Sequence, residues 1–426
     1  MAVLRGPAPL LGQARGDGAL RRLGPLAERD FRLLFLGRLV SLLGSAVAPI
    51  ALSFAVLDDL DGSASDLGLV LAAGTIPTIV FLLAGGVFAD RLPRHHVMVG
   101  SDLLEFAAQA GTAALVLTGT AELWHLMALA AVRGTGAAFF FPAVAGLVPQ
   151  VVTSGRLQEA NAVLRLSLSS SFIVGAAVGG ILVGIVGSGW ALAFDALTFL
   201  ASAALLSQLR LSRAETLPPS TMLADLRDGW REFASRTWLW AIVIEFAFVN
   251  AFASGVFQVL GPVVAQRSLG GAAAWGLILT GSAVGLVLGG LVTLRWKPER
   301  PLLVASLAIL LGVPQFLLLA EAAPLAAIVL AGVVTGIGHE LFGVFWDTTL
   351  QQHVPREKLS RVSSYDWLGS IAIMPLGLAV AGPIAGWIGV RETLWAAGAL
   401  LVVATALIML VSDVRGLRRI EAAPAG

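Results

Sequence analysis

The stretch "GAAVGGILVGIVG", Gly175 to Gly187, sits inside a charge-free run from residue 166 to residue 194. An apolar helix crosses a bilayer core in about 20 residues, so this run is too long for one crossing. "GSGW" at 187–190 supplies a turn and divides it into two helices. The same stretch returns 202 positions later as "GLAVAGPIAGWIG", residues 377–389, with six of thirteen positions identical. Four of the six identities are glycine, in a chain with 48 glycines, so the match carries moderate weight. A second parallel lies upstream, where "LVPQVVTSGRLQEAN" and "QQHVPREKLSRVSS" both place a Val-Pro loop before basic and polar residues. The chain is therefore membrane-spanning and doubled.

The rest of the chain fits that frame. Hydrophobic residues make up 57% of the 426 and charged residues only 13%, against about 25% charged in a soluble domain. Further uncharged runs cover 39–57, 67–89, 268–294, 301–320, 367–390 and 393–412. Helices rather than strands follow from run length, because backbone polar groups in lipid must bond within their own segment. Twelve helices are expected, near 31–57, 67–89, 97–119, 122–146, 163–186, 189–208, 238–264, 271–294, 301–320, 323–347, 365–389 and 391–412. The fold class is an all-α integral membrane protein of two pseudo-symmetric six-helix halves. The halves are 31–208 and 238–412, joined by a polar loop 209–237 that contains Pro-Pro and mixed arginines and acids. Tails of 1–30 and 413–426 complete the chain. The first apolar run is too long for a cleaved signal, so it stays as a helix.

Orientation follows from Lys and Arg. Of 28, Arg38, Arg133 and Arg165 lie within spans, Arg267 and Arg391 fall on one side, and the other 23 share the opposite side with both termini. Both termini are thus expected in the cytoplasm, with the chain in a bacterial inner membrane. The opposite loop "DDLDGSASD" carries four acids and no base, in keeping with that. A net charge of +1 gives no pull toward nucleic acid. With no cysteine, disulfides and thiolate metal sites are excluded. No Walker loop, His-Glu metal motif or Ser-His constellation appears, so neither cofactor, metal nor enzymatic activity is expected.

"GGVFADRLPRHH", Gly85 to His96, crowds Asp90, Arg91, Arg94, His95 and His96 into the loop after the second helix. Positive-inside flanking accounts for the bases but not for Asp90, because an acid contributes little to topology and is costly at a membrane boundary unless paired. Gly86, Asp90, Arg91, Pro93, Arg94 and His95 resemble the signature that follows the second helix in the major facilitator superfamily, with Pro93 where that family usually has glycine. "RLPRHHVMVGSDLLEFAAQ" and "FFFPAVAGLVPQVVTSGRLQEANAV" resemble its bacterial siderophore and macrolide exporter branch. The resemblance covers residues 30 to 415. It implies alternating access, and a latch in which Gly86, Asp90, Arg91 and Arg94 lock the cytoplasmic ends of helices, with Asp102 and Glu105 as partners for the bases. The second half keeps only Gly290, Arg295, Lys297 and Arg300 in "GGLVTLRWKPER", so the latch should be asymmetric. "GAAVGG", 175–180, resembles an antiporter motif of the fifth helix with Ala176 in place of its proline.

Without a nucleotide site, uphill transport needs an ion gradient, so ionisable groups inside spans are the candidates for coupling or substrate binding. Glu245 lies among apolar neighbours in "AIVIEFAFVN", with Asn250 five residues on. His339 and Glu340 are adjacent in "TGIGHELFGVFWD" and point about 100° apart, so at most one faces a cavity squarely. Arg133 sits at mid-helix and needs an acid or an anionic partner, whereas Arg38 lies near enough to the cytoplasmic end to snorkel. Each has a packing role as its alternative, and Asp195 and Asp347 read as structural. The expected function is proton-coupled export of a small amphipathic or lipophilic compound, with protons and the lipid bilayer as partners and a monomer as the working unit. Proton-coupled uptake by the same fold is the first alternative. A non-transporting receptor or scaffold is the second.

Overall fold

The computed structural model describes residues 24–210 and 222–420, apart from the side chains of 83–91, 222–226 and scattered others. The expected latch residues Gly86, Asp90 and Arg91 lie among those side chains and so fall outside the described residues. Among the described residues there are twelve long helices. The first half comprises α1 (Arg29–Asp59), α2 (Ala64–Arg91), α3 (Arg94–Leu117), α4 (Leu123–Val151), α5 (Leu157–Val186) and α6 (Ser188–Leu206). The second comprises α7 (Thr237–Leu269), α8 (Ala272–Arg295), α9 (Pro301–Ala320), α10 (Leu325–His353), α11 (Arg356–Ile371 continued by Met374–Ile388) and α12 (Val390–Ile408). A connecting helix, Met222–Ala234, lies between the halves in sequence.

Eleven of the twelve are long and apolar enough to cross a membrane. The exception is α3, which opens on Arg94, His95 and His96 and buries Asp102, Glu105 and Gln109. Its polar residues are absorbed by packing between α4 and α6, so composition alone understates it. Several helices also outrun their apolar stretches. Helix α5 begins at Leu157 rather than near 163, and α10 continues to His353 rather than ending near 347. The backbone ladder needs no apolar side chains to continue past the bilayer slab. Hydropathy sees the slab and misses the extension.

The repeat has a structural counterpart. Gly187 ends α5 and opens α6 at φ 87, ψ 165, and Gly389 ends α11 and opens α12 at φ 104, ψ 151. Positive φ carries no Cβ penalty for glycine. The same residue therefore makes the same corner at the end of each copy. Within the first half α1 packs on α5 and α6, α3 on α4 and α6, and α2 on α4. Within the second, α8 packs on α10, α9 on α10 and α12, and α7 on α11. The connecting helix packs on α11, where Glu232 pairs with Arg236 and, at 2.6 Å, with Lys358. Those two cations hold the Glu232 carboxyl below its usual range.

The halves meet through α5 with α8 and α2 with α11. A β-carbon built on Gly180 would lie 2.9 Å from the Cα of Gly276, so these two glycines let the backbones of α5 and α8 touch. Gly68 of α2 lies against Leu378 of α11, and Gly382 of α11 against Ser65 of α2, in the same way. Gln266 at the end of α7 donates to Leu57 O at 3.1 Å and to Asp58 Oδ1 at 2.6 Å, at the end of α1. All these contacts lie toward the end of the bundle away from the termini.

Candidate functional site

The wall of the second half that carries chemistry is a cavity of about 200 Å³ between α7, α10 and α11. Ile242 and Phe246 line it from α7, Phe342, Trp346 and Asp347 from α10, and Asp366, Trp367 and Ser370 from α11. Spacing explains the α10 face. Residues 339, 342 and 346 fall on one helical stripe, and 340 and 347 on the next. Phe246 stacks on Phe342 with ring centroids 4.1 Å apart, Phe342 on Trp346 at 6.0 Å, and Trp238 meets Trp346 edge-on at 5.7 Å. The indole of Trp346 donates to Asp366 Oδ2 at 2.9 Å, which fixes that carboxylate against the aromatic wall. Asp347 is exposed and Asp366 half-buried, so both acids keep a face toward the cavity. Exposed Arg165 of α5, in the other half, lies within electrostatic reach of Glu340 and Asp347.

The first half carries a different polar centre. Asp102, Glu105 and Asp195 are 1%, 5% and 0% exposed. Arg133 of α4 is within electrostatic reach of Glu105 and Asp195. Glu105 presses on Gly136 of α4, and the Asp195 carboxylate on Gly44 of α1. Ser202 lies beside Asp102 and Gln109 beside Asp195, yet neither pair reaches hydrogen-bonding geometry, leaving all four Asp102 and Asp195 carboxylate oxygens unpartnered. The Thr198 hydroxyl donates instead to the Asp195 backbone carbonyl at 2.6 Å.

A family of transmembrane secretion effectors matches this chain over residues 21–425. The chain belongs to that family. Among its relatives are the multidrug efflux pump Tap of Mycolicibacterium fortuitum, 28% identical over 87% of this chain and 91% of the relative, and macrolide efflux protein A of Streptococcus pyogenes, 25% identical over 91% and 97%. Solved structures share the fold. The nucleoside transporter NupG aligns with TM-score 0.70 at 13% identity over 89% of this chain and 98% of that one. A bacterial homologue of the human lysosomal transporter Spinster, in an inward-facing unoccupied conformation, aligns at 0.67 and 17% over 93% and 99%. The expected major facilitator fold and exporter class hold, and this secretion effector is a transporter rather than an enzyme.

The secretion effector's sequence candidates with described side chains fall into four places. Glu340 and His339 are on α10 beside the aromatic cavity: Glu340 packs on Gly289 and Gly290 of α8, and His339 shares the stripe of Trp346 with its side chain exposed. Asn250 lies in a π-helical turn of α7, Val249–Ser254, and its amide donates to Ser370 O at 3.0 Å, tying α7 to the cavity wall. Glu245 is buried within α7 with both carboxylate oxygens unpartnered. Arg38 is half-buried on α1. Arg133, Asp102 and Glu105 come together in the first half, where the two acids are enclosed by helices instead of being presented to the loop.

Four charged positions of these two centres are not singled out as site residues from the sequence: Asp195 and Asp347 read as structural, and Arg165 and Asp366 are not candidates. Asp366 sits at the edge of its apolar run, where "YDW" flanks an acid with aromatics. That sandwich was the available signal. Asp195 and Arg165 gave none beyond being charges within spans, because their partners are 62 and 175 or more residues away along the chain (Arg133 to Asp195, Arg165 to Glu340).

Proposed function

We propose that this secretion effector exports amphipathic compounds bearing a positive charge, in exchange for protons, by alternating access between its halves. The carrying observation is the cavity of Phe246, Phe342, Trp346 and Trp367 with Asp347 and Asp366 set in its wall. Aromatic faces and carboxylates both attract a cation, and the rings also shed water from an apolar body. The names of the relatives, a multidrug pump and a macrolide pump, support an exporter of bulky lipophilic compounds.

In this reading the end bearing the termini is cytoplasmic and the membrane is the bacterial inner membrane. The contacts of Gly180 with Gly276 and of Gln266 with Leu57 then hold the outer side shut, while the cavity is loaded from the cytoplasm or inner leaflet. Asp90, Arg91 and Arg94 latch the cytoplasmic ends when the transporter turns outward, and Arg165 closes toward Glu340 and Asp347 in the same movement. Glu245 and Glu340 are the coupling acids named for the second half, and the working unit is a monomer.

The test uses everted membrane vesicles acidified inside, with ethidium as the probe. Accumulation should collapse when the pH gradient is dissipated. Asp366→Asn keeps an oxygen for the Trp346 indole and removes the charge, so ethidium affinity should drop about tenfold while transport of an uncharged lipophilic compound is unchanged. Equal loss for charged and uncharged probes would reject the cation reading. Accumulation only in right-side-out vesicles would make the protein an importer.

A further inference from the structure

The three carboxyls of the first half are buried among helices, beside the half-buried Arg133. Glu105 is eleven residues into α3 and Arg133 ten into α4, both about 15 Å deep at 1.5 Å per residue. Asp195, seven residues into α6 from the same end as Arg133, comes in at about 10 Å. The group is enclosed by α1, α3, α4 and α6, and none of its members lines the aromatic cavity. Among the described residues the charged groups facing it are few. Helix α3 contributes Asp102 and Glu105, α4 contributes Arg133, and α6 contributes Asp195. Helix α1 presents Gly44, and α5 packs on that helix through Gly175 and Gly179; neither brings a titratable side chain to it.

One guanidinium, that of Arg133, therefore lies within reach of two of these three carboxyls, Glu105 and Asp195, and Asp102 adds its charge beside Glu105. Fully ionised, the three would leave two uncompensated negative charges in a dry interior, each costing several kcal/mol. The orphaned oxygens of Asp102 and Asp195, and the fully buried Ser202 hydroxyl without a partner, mark polar capacity that no protein group satisfies. Asp102, Glu105 and Asp195, each no more than 5% exposed, offer a bulky compound no open carboxylate face, whereas a proton passed along transient water can reach them.

We propose that Asp102, Glu105, Asp195 and Arg133 form a proton store in the first half, additional to Glu245 and Glu340 of the second half and separate from the substrate cavity there. This rests on the antiport reading. A proton from water on the acidic side bonds to a carboxylate oxygen of the group, and the same proton later leaves to water on the opposite side. Protonation weakens the hold of Arg133 on the acids and changes the seam between α1 and α6, where Asp195 meets Gly44. Helix α1 lies between that seam and α5, whose Gly180 touches α8 of the second half. The proton thus acts on the contact between halves without competing for the substrate's own groups.

The experiment compares the wild-type protein with Asp195→Asn and Glu105→Gln in proteoliposomes, with ethidium as the probe. Expected is downhill flux kept within about twofold and pH-driven accumulation reduced at least about tenfold. Coupled accumulation unchanged in both variants would overturn the proton store and leave antiport standing. Wild-type accumulation driven by a sodium gradient and indifferent to pH would overturn the antiport reading and the store with it. A readout that needs no variant guards against misfolding. Dicyclohexylcarbodiimide condenses with protonated carboxyls in apolar surroundings, so mass spectrometry of the wild type should find adducts within 94–117 or 188–206, fading as pH rises. No adduct in either segment between about pH 5 and pH 9 would also overturn the store.

Discussion

The two halves share a fold and place their acids under opposite conditions. In the second half Asp347 and Asp366 face a cavity, are set among Trp346, Trp367 and Phe342, and stay in reach of anything large that enters. In the first half Asp102, Glu105 and Asp195 are buried between helices, with Arg133 within reach of Glu105 and Asp195. The difference teaches that exposure, more than residue type, decides what an intramembrane acid can bind. An acid with an open face meets a solute. An enclosed acid meets only what can travel through packed helices.

The comparison breaks most readily at Arg133. Arg133→Leu removes the cation within reach of the buried Glu105 and Asp195, and should destabilise the detergent-solubilised protein by about 3 kcal/mol. Adding Glu105→Leu should restore much of that loss, and thermal unfolding of the two variants reads it. A double variant no more stable than the single would mean that the two groups do not act as a unit.

Next in size is the contact between halves. Gly180→Val would push a side chain into Gly276, an overpacking of about 1–3 kcal/mol that separation of α5 and α8 relieves. The chain has no cysteine, so a single cysteine introduced at Ala272, buried at that end of α8, reports its opening while leaving the Gln266 contacts in place. Faster thiol labelling in the Gly180→Val background is expected. An unchanged rate would show that this glycine pair does not hold the end shut.

Sharper still is the choice between the two groups of acids. Asp366→Asn should weaken ethidium binding by about 1.4 kcal/mol with the pH dependence of transport intact, whereas Asp195→Asn should do the reverse. Swapped phenotypes would exchange the roles of the two halves.

The smallest effect lies outside the membrane. Glu232, bridged to Arg236 and Lys358, has a carboxyl held below its usual range. A depressed carboxylate stabilises above its unfolded pKa of about 4.3, and that contribution is lost as pH falls through the lower folded value. Glu232→Gln should therefore cost no more than about 1 kcal/mol at pH 7 and nothing once the wild-type carboxylate is protonated. A difference that persists in acid would point to packing instead.

Much of the architecture was legible because the bilayer imposes one rule on every span. Twelve helices, the split at Gly187 and the pairing of 175–187 with 377–389 are local facts of run length, turn residues and repetition. Even the corner conformations at Gly187 and Gly389 follow from a residue that alone takes positive φ freely. Helix α3 was harder, since Asp102, Glu105 and Gln109 lower its hydropathy and only packing between α4 and α6 explains how they are carried.

The grouping of charges belonged to the tertiary structure. Glu105, Arg133 and Asp195 are on three helices, and Arg165 meets Glu340 and Asp347 across the two halves. Sequence lists each as a costly charge within a span but holds no information on which face it takes or which helix lies opposite. The sequence by itself determined that this chain crosses a membrane in two related halves, because apolar length and glycine corners are written residue by residue. Only the tertiary structure decided which acids are sealed with Arg133 and which line an aromatic wall, because that depends on helix rotation and on contacts between residues far apart in the chain.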